Sequence, residues 1–308
     1  MKKIGEVKEA LSSFARVDSH VHTHLCDGMP EMTVENIAQS AKVRGVDCVI
    51  LVPHFHKRLY NGDNTLYDDT DESIFPALRE EISSYEKNDG TVAFFLSTET
   101  DILTEDGDIS LDISRAAEDA LDFVMPTFNF HPLLPLAFVK LTYGKYINGL
   151  HESGEYENAA KKIGGVSKVL ETMYRSEVNA LDRCPYPAML GHFFMAHSIH
   201  PDKYSAFGAK EDNLPLMKDG ARRVVEACKR NNALIDLTGV HLGSAETVTH
   251  RIQTNGFLVD FQIYTVCECM RQNVGFFFGS DAHRLGGVGA ERGYYDHILD
   301  LASKADMQ

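Results

Sequence analysis

Residues 17–23 read Val17-Asp-Ser-His-Val-His-Thr23, a short β-type stretch that ends in two histidines one residue apart. In an extended backbone the side chains of residues i and i+2 point to the same side. His20 and His22 can therefore present two imidazoles to one metal ion. A His-x-His pair also occurs by chance, so its meaning depends on what the rest of the chain places beside it.

Apolar β-type runs recur along the chain, and helical patterns lie between them. The strand candidates are 15–19, 46–53, 91–98, 122–127, 188–191, 233–237 and 274–280. The helix candidates are 33–44, 72–85, 159–174, 216–230 and 258–271, with an amphipathic stretch at 1–14. This alternation is typical of βα units that build a parallel sheet. It predicts an α/β fold with roughly seven βα repeats in one barrel-type domain over residues 1–308.

Histidines and acids cluster at the carboxyl ends of the predicted strands, the side on which parallel barrels assemble their active sites. A lone histidine beside a strand is usually a hydrogen-bonded core or surface residue. Joint placement at six strand ends is much harder to obtain by chance and favours a metal site. The set comprises His20, His22, His54, Glu99, His131, His192, Asp281 and His283.

Composition narrows the possible partners. The formal net charge of −15 argues against general nucleic-acid binding, which normally uses basic patches. It does not exclude a phosphorylated substrate, because bound divalent cations can supply local positive charge. No run of about 18 apolar residues could span a membrane. The amphipathic start and six scattered cysteines favour a cytoplasmic protein with reduced thiols.

The longest interruption of the βα pattern lies at about 132–187, after a predicted strand end. Long loops in compact domains are often functional, so this insertion is expected to form a lid or pocket wall. A variable surface excursion is the alternative.

With these residues laid out, the chain resembles the PHP superfamily of metal-dependent phosphoesterases, which includes histidinol phosphatases. The resemblance rests on five motifs that follow in order over almost the whole chain. They are Val17-Asp-Ser-His-Val-His-Thr23, Leu51-Val-Pro-His54, the stretch 97–109 that contains Glu99, Leu190-Gly-His192 and Phe278-Gly-Ser-Asp-Ala-His283. The resemblance implies a distorted (β/α)7 barrel, similar to a TIM barrel, with two or three divalent metal ions, zinc, manganese or iron.

On the family pattern, the ligand positions are His20, His22, His54, Glu99, His192, Asp281 and His283, with Glu99 as the bridging carboxylate. Two positions depart from that pattern. Gly28 stands where many members have a histidine, and Asp27 beside it is the candidate replacement; the segment 25–30 also resembles the loop of the bacterial phosphotyrosine-phosphatase branch. Asn129 stands where the family has another histidine, and His131 is the candidate to fill that role.

The resemblance implies hydrolysis of a small phosphate ester by a metal-activated hydroxide, with a phosphomonoester such as histidinol phosphate as the expected substrate. Asp281, Glu99 and His192 are the expected catalytic residues. Arg58, Arg284 and His56 are candidates for substrate binding, because guanidinium groups match phosphate oxygens. Solvated surface arginine is the alternative for both arginines, and the oligomeric state is not readable.

Two other functions stay open at this stage. An amidohydrolase-type deaminase or amidase also opens with His-x-His, but it normally needs a lysine or paired histidines at middle strands and a lone late aspartate. A metal-binding protein that has lost turnover is the non-enzyme alternative. Gly28 and Asn129 are the features that support it.

Overall fold

The computed structural model describes residues 1–26, 28–60, 66–69, 71–109, 111–128, 161, 164–194, 210–238, 256–290 and 292–306. The strands are β1 Val17–Val21, β2 Cys48–Leu51, β3 His56–Tyr60, β4 Leu66–Asp69, β5 Ala93–Leu96, β6 Glu99–Asp101, β7 Met125–Thr127, β8 Met189–Leu190, β9 Leu234–Asp236 and β10 Phe276–Phe277. The helices are α1 Ile4–Ser12, α2 Val34–Val43, α3 Ile74–Asn88, α4 Arg115–Ala120, α5 Val166–Arg183, α6 Leu214–Arg230, α7 Gly256–Gln272 and α8 Arg292–Asp306.

Apart from the antiparallel hairpin β3–β4, the strands form parallel sheets, as an α/β fold requires. One sheet has the order β1-β2-β5, a second has the order β10-β9-β8, and β6 pairs in parallel with β7. Single bridges and backbone hydrogen bonds connect these sheets. Val124 bridges Ala188 between β7 and β8, and the amide of Ser19 in β1 donates to the carbonyl of Phe278 beside β10 over 3.3 Å.

All seven predicted strand positions overlap a strand in the structure. Sequence analysis missed β6, the antiparallel hairpin β3–β4 and the helices α4 and α8. The helix predicted at 159–174 is displaced, since α5 begins at Val166 and extends to Arg183. Because α5 packs against α6, this later part of the predicted insertion belongs to the helical layer, while most of the stretch before it lies outside the described residues.

Local chemistry sets the bounds of α2. Thr33 precedes it in extended backbone, and the Thr33 side chain accepts a hydrogen bond from the amide of Asn36 over 3.4 Å, which satisfies one otherwise unpaired helical amide. Gly45 follows the helix with a φ of 64°, a left-handed conformation that glycine adopts without steric cost. The cap and the stop predicted from the sequence are therefore both present.

The amino-terminal helix α1 closes one side of a strand-lined core. Val7 and Leu11, four residues apart on one face, are fully buried and pack with Ile50 of β2, Phe95 of β5 and Leu234 of β9. The polar face of α1 stays exposed. The predicted amphipathic helix is thus confirmed, and its apolar face is part of the core.

The Asp122 side chain joins α3, β5 and the amino-terminal segment through ion pairs and hydrogen bonds. Its carboxylate accepts from Arg79 over 2.8 Å and from the amide of Leu96 over 2.9 Å, and it lies 2.9 Å from the Lys2 ammonium. Burial acts to raise the pKa of Asp122, but the charge and hydrogen bond of Arg79 outweigh it, so that the pKa lies below its usual value.

We expect Asp122→Asn to lower the free energy of unfolding by about 2 kcal/mol at neutral pH, because it removes hydrogen bonds between charged groups. A depressed carboxyl pKa stabilises the fold above the unfolded-state pKa of about 4 and loses this contribution as the pH falls through the folded-state value. The difference between variant and parent in urea unfolding should therefore shrink on acidification from pH 6 towards 3. A difference that stays constant over this range would contradict the assignment.

Among the described residues, no helix is both long enough and apolar enough to cross a membrane.

Candidate metal centre

The predicted ligands converge, although they are far apart in sequence. His20 lies on β1 and His22 directly follows it, Glu99 begins β6, and the other members lie within six residues after a strand end, as the parallel arrangement requires. Each histidine of the group has a ring nitrogen within 4 Å of a carboxylate oxygen of Glu99 or Asp281. The side chains brought together are those of His20, His22, His54, Glu99, His192, Asp281 and His283.

Glu99 lies at the centre of this group. Its Oε1 is 2.8 Å from His192 Nε2, and its Oε2 is 3.1 Å from both His20 Nε2 and His54 Nε2. The same Oε2 lies 3.7 Å from His22 Nε2. One buried carboxylate thus faces four imidazoles, which is the position a bridging ligand would need.

Asp281 is the second acid of the cluster. Its Oδ1 lies 2.9 Å from His22 Nε2, 3.4 Å from His283 Nε2 and 3.6 Å from His20 Nε2. The rings of His22 and His283 stack with their centroids 3.9 Å apart. The side chain of His283 is 42% exposed and that of His54 24%, whereas His20, His22 and His192 are buried. Solvent therefore reaches the cluster from the side of His54 and His283.

Among the residues that the structure describes, three sets of ligand atoms are close enough to hold a metal ion, with all atoms of a set within 4.8 Å of one another. They are His20, His22 and Asp281; His20, Glu99 and His192; and His22, His54 and Glu99. Imidazole nitrogen and carboxylate oxygen are the donors that zinc, manganese and iron accept in mixed sites. The residues present fit divalent metals, and the sharing of His20, His22 and Glu99 between sets fits adjacent ions.

The buried charges of the cluster depend on one another. Burial alone would raise the pKa of Glu99, but the charges of His54 and His192 and the hydrogen bonds from His192 and His20 hold it well below its usual range. Burial likewise acts to raise the pKa of Asp281, and hydrogen bonds from His22 and His283 hold it well below its usual range. Both acids are therefore ionised at neutral pH and available to a cation.

The backbone around the cluster adopts uncommon conformations. His192 and Asp281 have φ values of 25° and 50°, a region that costs a non-glycine residue energy and is enriched at functional sites. Glycines precede the ligands where the chain passes closest to them. A Cβ atom on Gly279 would lie 2.6 Å from Cβ of His20, and one on Gly191 would lie 2.4 Å from Cγ2 of Thr127, so neither position has room for a side chain.

Asp236, the last residue of β9, is a site residue that sequence analysis missed. Its Oδ2 lies 3.3 Å from His20 Nδ1 and accepts from the amide of His192 over 3.0 Å. Its Oδ1 accepts from the hydroxyls of Ser19 over 2.7 Å and Thr238 over 2.5 Å. Burial acts to raise the pKa of Asp236, but the hydrogen bond and charge of His20 lower it. An acid at the end of an otherwise apolar buried strand was the signal that could have revealed it.

Asp236 determines which nitrogen of His20 faces the cluster. In the metal-bound form, a proton on His20 Nδ1 would be donated to the Asp236 carboxylate, which leaves the lone pair of Nε2 for a cation. The same acid holds the amide of His192, so one side chain positions two candidate ligands from different strands. Its role is that of a positioning residue.

Asp18, which lies in β1, is hydrogen-bonded to residues on both sides of Asp281 in the sequence. Its carboxylate accepts from the amide and hydroxyl of Ser280 over 2.8 and 2.7 Å and from the amide of Gly289 over 2.7 Å. Burial raises the pKa of Asp18 to about 6, although these hydrogen bonds act in the opposite direction. The segment that carries Asp281 is thereby tied to the strand that carries His20 and His22.

Comparison with solved structures reveals which known enzymes have this architecture. The histidinol phosphate phosphatase of Lactococcus lactis subsp. lactis Il1403, solved with zinc, L-histidinol and phosphate, matches with a TM-score of 0.58 at 11% identity, and the match covers 93% of each chain. The putative histidinol phosphatase of Listeria monocytogenes matches with a TM-score of 0.58 at 14% identity, over 92% of this chain and 100% of the other. The chain has the fold of a histidinol phosphatase. No protein-family model and no curated protein sequence matches it.

Some of the predicted site residues lie outside the part of the chain that the structure describes. Asp27 and His131, the candidate ligands for a third metal, lie outside the described residues, as do the side chains of His56 and Arg58 on β3. Arg284 directly follows His283 in the sequence, and its side chain is exposed to solvent. Arg284 makes no ion pair with another described residue, and its role in substrate binding stays a prediction.

We expect Asp236→Asn to weaken metal binding about 10- to 100-fold, the usual cost of losing a carboxylate that orients a ligating imidazole. Competition with a chromogenic chelator measures the affinity. The matched control is Asp182→Asn, which neutralises an acid paired with Arg230 in the helical layer of the chain. Equal metal affinities for both variants would show that Asp236 does not position the ligands.

Proposed function

We propose that the chain is a metal-dependent phosphatase that hydrolyses a small phosphomonoester, with histidinol phosphate as the first substrate to test. The observation that carries the proposal is the cluster around Glu99, in which four imidazoles and two acids from separate strands meet with their ligand atoms within 4.8 Å in sets of three. The fold shared with histidinol phosphatases supports it. One of these relatives holds zinc, L-histidinol and phosphate.

The remaining fold detail belongs to the same proposal. The bridges between Val21 and Ala282, His54 and Glu99, and Val124 and Ala188 are all parallel. They connect the sheets in the order expected of a strand ring. We infer a distorted (β/α)7 barrel whose carboxyl-terminal mouth holds the cluster.

Seven residues of the chain would hold the metal ions. Glu99 would bridge two ions, and His20, His22, His54, His192, Asp281 and His283 would complete their coordination. Divalent cations held there supply an acidified water and positive charge for the phosphate oxygens. The net negative charge of −15 makes such local positive charge necessary for a phosphate anion to approach.

Access to solvent indicates where the substrate lies. His54 and His283 are the exposed members of the cluster, so the phosphate ester would enter on their side. The Asp281 carboxylate lies 3.4 Å from His283 Nε2 on this side, and it could orient the attacking water. Arg58, Arg284 and His56 are the proposed contacts to the remainder of the phosphate ester.

The test combines metal analysis with substrate profiling on the full chain purified without chelator. Activity is assayed with zinc, manganese or iron(II) on histidinol phosphate, p-nitrophenyl phosphate, a nucleoside monophosphate, a phosphotyrosyl peptide and N-acetyl amino acids. We expect at least two equivalents of metal and release of inorganic phosphate that stops with chelation. Amide hydrolysis without phosphate release would instead support an amidohydrolase. Metal binding with no turnover on any substrate would support a binding protein.

A further inference from the structure

A cavity of about 210 Å³ is lined by Gly279 and Ser280, which precede Asp281, and by residues more distant in sequence. It is bounded by β1, by β10 with the residues that follow it, and by α8. None of its lining residues belongs to the proposed ligand set. The cavity is therefore a separate site.

The walls of this cavity are mainly aromatic. Phe276, Phe277 and Phe278 line it consecutively, and Phe14 and Tyr295 face them from either side. The rings of Phe278 and Tyr295 stack with their centroids 4.2 Å apart. Parallel strands of α/β proteins are normally covered on both faces, yet all three phenylalanines are only partly buried. The gap between β10 and α8 explains their exposure.

The charges that line the cavity have one sign. Among the described residues of the lining, Asp18 and Asp296 are the only ionisable side chains besides Tyr295, and none is a lysine, arginine or histidine. Asp18 is buried and held in place by Ser280 and Gly289, whereas Asp296 is exposed at the rim on α8. An occupant with a positive charge would complement both acids, and an anion would be repelled.

We propose that this cavity binds a small one-ring aromatic compound that carries a primary ammonium group. An apolar cavity of about 150 Å³ suffices to hold benzene, so the observed volume leaves room for a ring and a short alkyl chain. Aromatic walls bind the ring, and they also attract an ammonium group through their π faces. The carboxylates of Asp18 and Asp296 select the cation over a neutral or anionic analogue.

The experiment uses 2-phenylethylamine as the probe with the metal-loaded full chain, and 2-phenylethanol and phenylacetate as neutral and anionic controls. Binding is measured by isothermal titration calorimetry and by saturation-transfer NMR. We expect saturable binding of the amine at millimolar concentration or tighter, at least fivefold weaker binding of the alcohol and none of the acid. Binding of phenylacetate as tightly as the amine, or no saturation by the amine, would overturn the proposal.

Variants locate the binding site. Leu299→Trp places a large ring into the cavity and should abolish binding, while Asp296→Asn should weaken it about fivefold. Asp300→Asn is the matched control, since it removes an exposed charge from the same helix at a position outside the lining. Circular dichroism and thermal melting confirm folding of each variant. Unchanged affinity in folded Leu299→Trp, or equal loss in both aspartate variants, would place the amine elsewhere, including at the acidic metal centre.

Discussion

Glu99→Gln should lower kcat/KM for phosphomonoester hydrolysis by about 10³-fold or more and remove at least one equivalent of bound metal. Losing a single preorganised electrostatic group costs about 10²- to 10³-fold in many enzymes, and Glu99 serves more than one metal set. The substitution preserves side-chain size but replaces a carboxylate oxygen with an amide group. Four imidazoles that face the carboxylate would then face a neutral group that ligates cations poorly.

The matched control for this variant is Glu177→Gln on α5. Glu177 is also fully buried, and burial raises its pKa well above its usual value, which favours the protonated, neutral form of the side chain. Its replacement by neutral glutamine should leave metal content and turnover near those of the parent. Inductively coupled plasma mass spectrometry and steady-state kinetics compare the two variants. Full metal occupancy with near-parental turnover in Glu99→Gln would remove Glu99 from the proposed centre.

Sequence reasoning located the strands because their signal is local. Continuous apolar runs of four to eight residues mark buried parallel strands, and each predicted run overlaps an observed strand. The strand β6 reads Glu-Thr-Asp and carries no such signal. It exists because it pairs with β7 and because its backbone meets the end of β2, where the amide of Glu99 donates to the carbonyl of Pro53. A pattern of three residues does not predict tertiary pairing of this kind.

The missed helix α8 had a readable signal. Tyr294, Tyr295, Ile298 and Ala302 are buried and repeat at helical spacing. By contrast, the role of Asp236 could not be read from spacing, because its partners Ser19 and His192 come from other strands. Seven of the predicted residues do lie together in the structure, since strand ends in a parallel fold converge whatever their separation in sequence. Their identity as metal ligands stays a proposal.

The position of Asp281 leads to the second large expected effect. Its carboxylate is within 3.6 Å of three imidazoles, and its backbone has a φ of 50°, which aspartate and asparagine tolerate better than most residues. Asp281→Ala should keep the fold but lose most phosphatase activity, on the order of 10³-fold in kcat. Alanine also pays about 1 kcal/mol or more for the backbone conformation, which a small fall in melting temperature would register.

Asp281→Asn separates the charge from this backbone cost. Asparagine keeps the left-handed conformation and the side-chain shape, so it avoids the backbone cost and should melt above the alanine variant. If the negative charge of Asp281 holds a cation and orients the attacking water, the asparagine variant loses turnover nearly as severely as the alanine variant, and its metal content falls in parallel. Metal titration, melting and kinetics on both variants measure these three quantities. Near-normal turnover of either variant with full metal loading would mean that Asp281 neither binds the metal nor takes part in catalysis. The proposed role of the cluster around Glu99 in phosphate-ester hydrolysis would then be rejected.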